Sequence, residues 1–106
     1  KYTVGFDSFA DYVLGKKNNR ECSPEWASKI TNIPVKTIYE LADKIITKKT
    51  MISLSWSLQR ASRGEQPLWM GITLAAMLGQ IGTASGGFGF GYSSVNSTGD
   101  SFDKIP

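Results

Sequence analysis

The sequence contains no histidine. That removes His-based triads, histidine general bases and histidine metal ligands from these residues. Cysteine is almost absent as well, Cys22 being the only one. A lone thiol builds neither a disulfide framework nor a zinc site, and it leaves the redox compartment open. Long apolar runs are missing. The longest, residues 68–78, is interrupted by Gly71 and Thr73 and is well short of the about 20 residues a bilayer-spanning helix needs. It suits a buried core helix instead. There is also no dense basic stripe: the net charge of +3 is spread over Lys16-Lys17, Arg20, Lys44, Lys48-Lys49, Arg60 and Arg63. Such scatter argues against nucleic-acid binding, which concentrates its cations, and solvated surface charge is the simpler account of all but Arg60 and Arg63.

What is present is the composition of a globular domain. Apolar residues make up 41% and charged residues 20% of 106 residues, enough apolar material for a core in one domain at most. The chain is expected to be part of a longer polypeptide. It starts at Lys1 without methionine, and its one strong strand has no sheet partner legible in the sequence to satisfy its backbone groups.

In chain order, an extended entry leads to Asp7-Ser8, which can cap a helix over residues 9–14 that Gly15 stops. Ser23-Pro24-Glu25-Trp26 is a strong helix start, with a cap, proline in the first position and a carboxylate facing the dipole. That helix should run to about residue 31, where Asn32-Ile33-Pro34 breaks it. Pro34 opens another to about residue 47. Its apolar positions Val35, Ile38, Tyr39, Ala42, Ile45 and Ile46 form one helical stripe, so a core-facing amphipathic helix with no site is the reading. Residues 50–55 form a strand. Thr50, Ile52 and Leu54 point one way and Met51, Ser53 and Ser55 the other, as suits a covered parallel sheet. Residues 67–81 form a helix apolar on every face, hence buried all round, in which Gly71 and Gly79 allow close approach of another element. Residues 82–99 carry six glycines interleaved with Phe88, Phe90 and Tyr92 and read as an irregular loop with aromatic anchors. Gly87-Phe88-Gly89-Phe90-Gly91 is a weak nucleotide motif, because it follows a helix where the dinucleotide fingerprint follows a strand. The fold class is therefore α/β, a helix-rich piece of a Rossmann-like layered domain. It divides into a helical segment (1–49), a strand–loop–helix cofactor unit (50–82) and a glycine-rich loop (83–106).

The candidate site is the loop at the carboxyl end of that strand, where open α/β sheets bind ligands. Arg60 suits bidentate contact with phosphate, although a loop arginine is commonly solvated or paired with a neighbour such as Glu65. Ser57, Gln59 and Gln66 are hydrogen-bonding groups able to read a purine or pterin edge. Trp56 can stack on a ring or simply plug the core. Each alone is uninformative, and it is their crowding at one strand end that points to a ligand with polar and phosphate-like groups.

Ser55-Trp56-Ser57-Leu58-Gln59-Arg60, Gly64-Glu65-Gln66, Trp69-Met70, the run from Leu74 to Gly82 and Gly86-Gly87-Phe88-Gly89 together resemble the dimethyl sulfoxide reductase family of molybdenum enzymes. The resemblance is strongest to its trimethylamine N-oxide and biotin sulfoxide reductase branch. Ser23-Pro24-Glu25-Trp26-Ala27 and residues 34–42 match as well, so the resemblance covers almost the whole chain. It implies a much longer catalytic chain around one molybdenum atom, held by two molybdopterin guanine dinucleotides. It also implies reduction of an S- or N-oxide with electrons from a donor such as a c-type cytochrome. Carried over residue by residue, it implies cofactor contact for Trp56, Ser57, Gln59, Arg60 and Gln66, with Glu65 as a further candidate. The serine that ligates molybdenum in this branch falls outside these residues, so no catalytic residue and no metal ligand is assigned here. Two departures stand out: Ala84-Ser85-Gly86-Gly87 where relatives have Pro-Gly-Gly-Gly, and Ser62-Arg63 where relatives often have histidine.

The expected partners are the remainder of the same polypeptide, a small S- or N-oxide and the electron donor, with no nucleic acid and no membrane span. The resemblance implies a bacterial periplasmic location, with the cytoplasm as the alternative, and an isolated chain that is inactive; the exposed apolar helix should make that isolated chain self-associate. The rival reading from another class is a stand-alone helical interaction module docking its apolar helix on a partner. A nucleic-acid binder, suggested only by a pI near 9.1, is a weaker third.

Overall fold

A computed structural model describes residues 3–91. They form two compact units, residues 3–48 and residues 49–91.

The first unit is helical. Helix α1 (Phe6–Val13) begins three residues before the expected start and ends one residue before the expected end. Gly5, at φ 86, makes the entry, and its carbonyl accepts the Phe9 N–H at 3.1 Å. Asp7 and Ser8 therefore lie inside the first turn rather than capping it. Asp7 still faces the positive end of the dipole, and the Ser8 hydroxyl accepts a hydrogen bond from the Lys17 ammonium. Gly15 stops the helix in the left-handed region, at φ 76. The Ser23 hydroxyl accepts the Trp26 N–H at 3.3 Å to start α2 (Pro24–Thr31), and Asn32, at φ 61, ends it. Helix α3 (Val35–Thr47) follows Pro34 and packs on α2.

The second unit is a strand–helix–strand crossover. Strand β1 (Met51–Leu54) leads into a 3-10 turn (Trp56–Gln59), helix α4 (Glu65–Met77) and strand β2 (Gly87–Phe90). The two strands pair in parallel, Ile52 opposite Phe88 and Leu54 opposite Phe90. This corrects two expectations: the sheet partner of β1 lies within the chain, and part of the glycine-rich stretch is a strand. Alternation at period two explains it, Phe88 and Phe90 pointing to one face and Gly87 and Gly89 to the other. The phenylalanines share the face of Ile52 and Leu54, and α4 packs there. Gly71 permits the approach: a Cβ at that position would stand 2.6 Å from Leu54 Cδ1 and 2.9 Å from Phe88 Cε2.

Helix α4 starts at Glu65, two residues before the expected position. Pro67 is tolerated inside its first turn because the first four N–H groups of a helix have no intrahelical acceptor. Gly79, at φ 65, ends the helix short of residue 81. A Cβ there would meet nothing within 4 Å, so this glycine serves as a stop and not as a contact. Gln80 then ties the end of the crossover to the start of the sheet. Its Oε1 accepts the Thr50 N–H at 2.6 Å, while the Thr50 carbonyl accepts the Gly87 N–H at 3.2 Å. Ser85 takes φ 65 at the following turn, a conformation that costs a non-glycine residue about 1–2 kcal/mol.

Among the described residues α4 is not buried all round. Only Gly71 and Ala75 are buried, while Trp69 is 66% exposed and Met70, Ile72 and Met77 are also open. Leu68, Ile72, Phe88 and Phe90 line an apolar cavity of about 180 Å³. An open apolar surface of this kind marks an interaction face or an aggregation liability. The isolated chain is therefore expected to self-associate through this surface, visible as oligomers in light scattering. A monodisperse monomer that leaves an apolar dye unbound would contradict that.

Candidate functional site

The candidate residues fall on one short path at the carboxyl end of β1. The Ser55 hydroxyl starts the 3-10 turn, accepting the Ser57 N–H at 3.4 Å and lying 3.0 Å from the Ser57 hydroxyl. Trp56, Ser57 and Gln59 belong to the turn, and Arg60 closes it by donating its N–H to the Ser57 carbonyl at 3.1 Å. Glu65 and Gln66 are the first two residues of α4, so they stand on a helix and not in the loop where the sequence pattern puts them.

Gly64 brings the two halves together. A Cβ on it would be 2.5 Å from the Gln59 carbonyl oxygen and 2.6 Å from that of Leu58. Its φ of −63° is open to any residue, so closeness alone, not backbone conformation, demands glycine here. Arg63, at φ 59, makes the turn that delivers Gly64 to this position. The polar groups of the 3-10 turn and the first turn of α4 thereby share one end of the crossover, and the two elements pack against each other.

Glu65 is biased toward its ionised form. A hydrogen bond from its own backbone N–H, then one from the Gln66 side-chain amide at 3.2 Å, lower its carboxyl below the ordinary value. The carboxylate thus meets the positive end of the helix itself. Among the described residues neither Arg60 nor Arg63 forms an ion pair with it. The arginine–Glu65 pairing open to the sequence is replaced by the Glu65–Gln66 bond.

Trp56 is 46% exposed and touches Phe90 of the neighbouring strand end, with ring centroids 5.8 Å apart and planes tilted by 40°. It therefore only partly plugs the core, and much of the indole remains available to a ligand. Sequence reasoning misses Phe90 and Gly91 as part of this site. The signal for them is the Gly-Phe alternation, which places Phe90 at the same sheet end as Leu54. Among the described residues of the glycine-rich stretch, the Gly87 and Gly91 N–H groups are used on the Thr50 and Leu54 carbonyls and are not open donors.

Exposed amide, hydroxyl and guanidinium groups beside an indole suit a ligand with an aromatic ring system and anionic linkers. The chain is 50% identical over 91 residues to the dimethyl sulfoxide/trimethylamine N-oxide reductase of Rhodobacter capsulatus, a match that takes in 86% of this chain and 11% of that protein. The chain belongs to the dimethyl sulfoxide reductase family. The trimethylamine-N-oxide reductase of Haemophilus influenzae is 48% identical over 92 residues, covering 87% of this chain and 11% of its own. The biotin sulfoxide reductase of Cereibacter sphaeroides is 43% identical over 100 residues, covering 94% and 13%. No protein-family model matches. The chain thus spans about a tenth of the length of these dimethyl sulfoxide reductase relatives. The family implies a molybdopterin cofactor for the whole enzyme, and the polar set at the carboxyl end of β1 is chemically suited to the dinucleotide part of such a group. Among the described residues no helix is long and apolar enough to cross a membrane.

Proposed function

We propose that this chain is the part of a bacterial S- or N-oxide reductase that grips one guanine dinucleotide of the molybdenum cofactor, within a Rossmann-like layered domain completed by the rest of the polypeptide. One observation carries the reading. Trp56, Ser57, Gln59, Arg60, Glu65 and Gln66 gather where a parallel strand meets the next helix, which is where open α/β sheets take nucleotides. In this reading Arg60 faces a phosphate, Trp56 lies against a ring, and Ser57, Gln59 and Gln66 hydrogen-bond heterocycle edges or ribose. The ionised Glu65 accepts from ring N–H groups. When bound, the cofactor supplies the two-electron reduction that converts an S- or N-oxide to the sulfide or amine with release of water. The residues here bind and orient it and exclude water from it. The substrate is trimethylamine N-oxide, dimethyl sulfoxide or biotin sulfoxide, the compartment is the periplasm, and the chain alone has no reductase activity.

Replacing Arg60 by alanine in the full-length enzyme tests this. Loss of a charged hydrogen bond to a phosphate removes about 1.5–3 kcal/mol, so dinucleotide affinity should fall by about tenfold or more, seen as lowered guanine and molybdenum per purified polypeptide. Unchanged content would remove Arg60 from the site. The exposed apolar face of α4 would equally serve a separate interaction module. The matched relatives favour the reductase, since in them the corresponding segment is embedded in a far longer chain.

A further inference from the structure

We propose that Gly91 is a positioning residue for Trp56. Its bare Cα is the seat against which the indole is set at the mouth of the site. The inference rests on the reading above, in which Trp56 touches the dinucleotide.

The Gly91 N–H donates to the Leu54 carbonyl at 3.1 Å, fixing this Cα at the carboxyl end of both strands. A Cβ there would lie 2.1 Å from Trp56 Nε1, 2.6 Å from Cε2 and 2.9 Å from Cδ1. Those atoms belong to a rigid ring, so the ring as a whole would have to move. It would then leave the place it shares with Phe90, whose centroid is 5.8 Å away. Gly91 also sits at φ 69, a conformation that favours glycine for a separate reason.

The two demands can be separated because Gly82 supplies a control. It has φ 80, and a Cβ on it meets nothing within 4 Å. Gly82→Ala therefore carries the conformational cost alone, and Gly91→Ala carries that cost plus the collision.

The experiment compares Gly91→Ala, Gly82→Ala, Trp56→Ala and the Trp56→Ala/Gly91→Ala double variant in the full-length holoenzyme. It reads guanine and molybdenum per polypeptide together with the denaturation midpoint. Gly91→Ala should retain about tenfold less cofactor than Gly82→Ala. Adding Gly91→Ala to Trp56→Ala should cause no further loss of cofactor, and it should lower the Trp56→Ala midpoint by no more than Gly82→Ala lowers that of the wild type. If Gly91→Ala retains as much cofactor as Gly82→Ala while Trp56→Ala loses it, the seat is refuted and the cofactor reading stands. If Trp56→Ala retains full cofactor, the role of Trp56 at the dinucleotide falls, and with it the function of the seat. Should Gly91→Ala fail to fold, the double variant decides: folding restored by loss of the indole supports the seat, and continued failure overturns it.

Discussion

Replacing Gly64 by alanine is expected to empty the site. The added methyl would lie within 2.6 Å of two backbone carbonyls, those of Leu58 and Gln59. A collision with backbone cannot be relieved by a rotamer change, so either the 3-10 turn or the start of α4 must shift. Overpacking of this kind costs about 3 kcal/mol. The shift also parts Gln59 and Arg60 from Glu65 and Gln66, the two halves whose closeness makes the cluster. Purified full-length Gly64→Ala enzyme should therefore carry less than about a tenth of the wild-type guanine and molybdenum. A variant with wild-type content and activity would mean that the closeness of turn and helix is irrelevant to binding.

The second large effect is expected at Gly71. Valine there directs its branched Cβ at Leu54 Cδ1 and Phe88 Cε2, the places where α4 meets both strands. Gly71 is buried, so Leu54 and Phe88 must repack off their present positions or the helix must lift from the sheet. A destabilisation of about 3 kcal/mol is expected, seen as a large drop in soluble yield and in the denaturation midpoint of the full-length protein. The companion substitution Gly79→Ala separates this cause from general glycine loss. Gly79 has φ 65, and a methyl group placed there would meet no atom within 4 Å, so the change should cost only about 1–2 kcal/mol. Equal effects at the two positions would contradict the packing account.

Much of this arrangement is legible in the residues. Ser23-Pro24 at the start of α2, the apolar stripe of α3 and the alternation of β1 each depend on local rules, and each element stands within a residue or so of where those rules put it. The starts of α1 and α4 depart from expectation for local reasons too, because Gly5 outdoes Asp7-Ser8 and because Pro67 fits a helix at its third position as well as its first. Strand β2 escapes the sequence for a different reason. Glycine is a poor strand former by propensity, and Gly87 and Gly89 are stabilised there only by pairing with Met51 and Ser53, a contact distant in sequence. The same distance hides Phe90 and Gly91 from a sequence-based view of the site, although Trp56 and its neighbours are visible as a cluster of chemical types. Gly64 shows the limit most plainly. It is legible as a turn glycine, yet its value comes from two carbonyls that only the folded chain brings against it.

The most direct measurement is an experimental structure of the full-length holoenzyme, which shows where the dinucleotide lies relative to β1. The account predicts a guanine dinucleotide against Trp56, with Arg60 within hydrogen-bonding distance of a phosphate and Gln59 and Gln66 on its polar edges. A cofactor found at the opposite ends of the strands, or nowhere near Trp56 and Arg60, would contradict it.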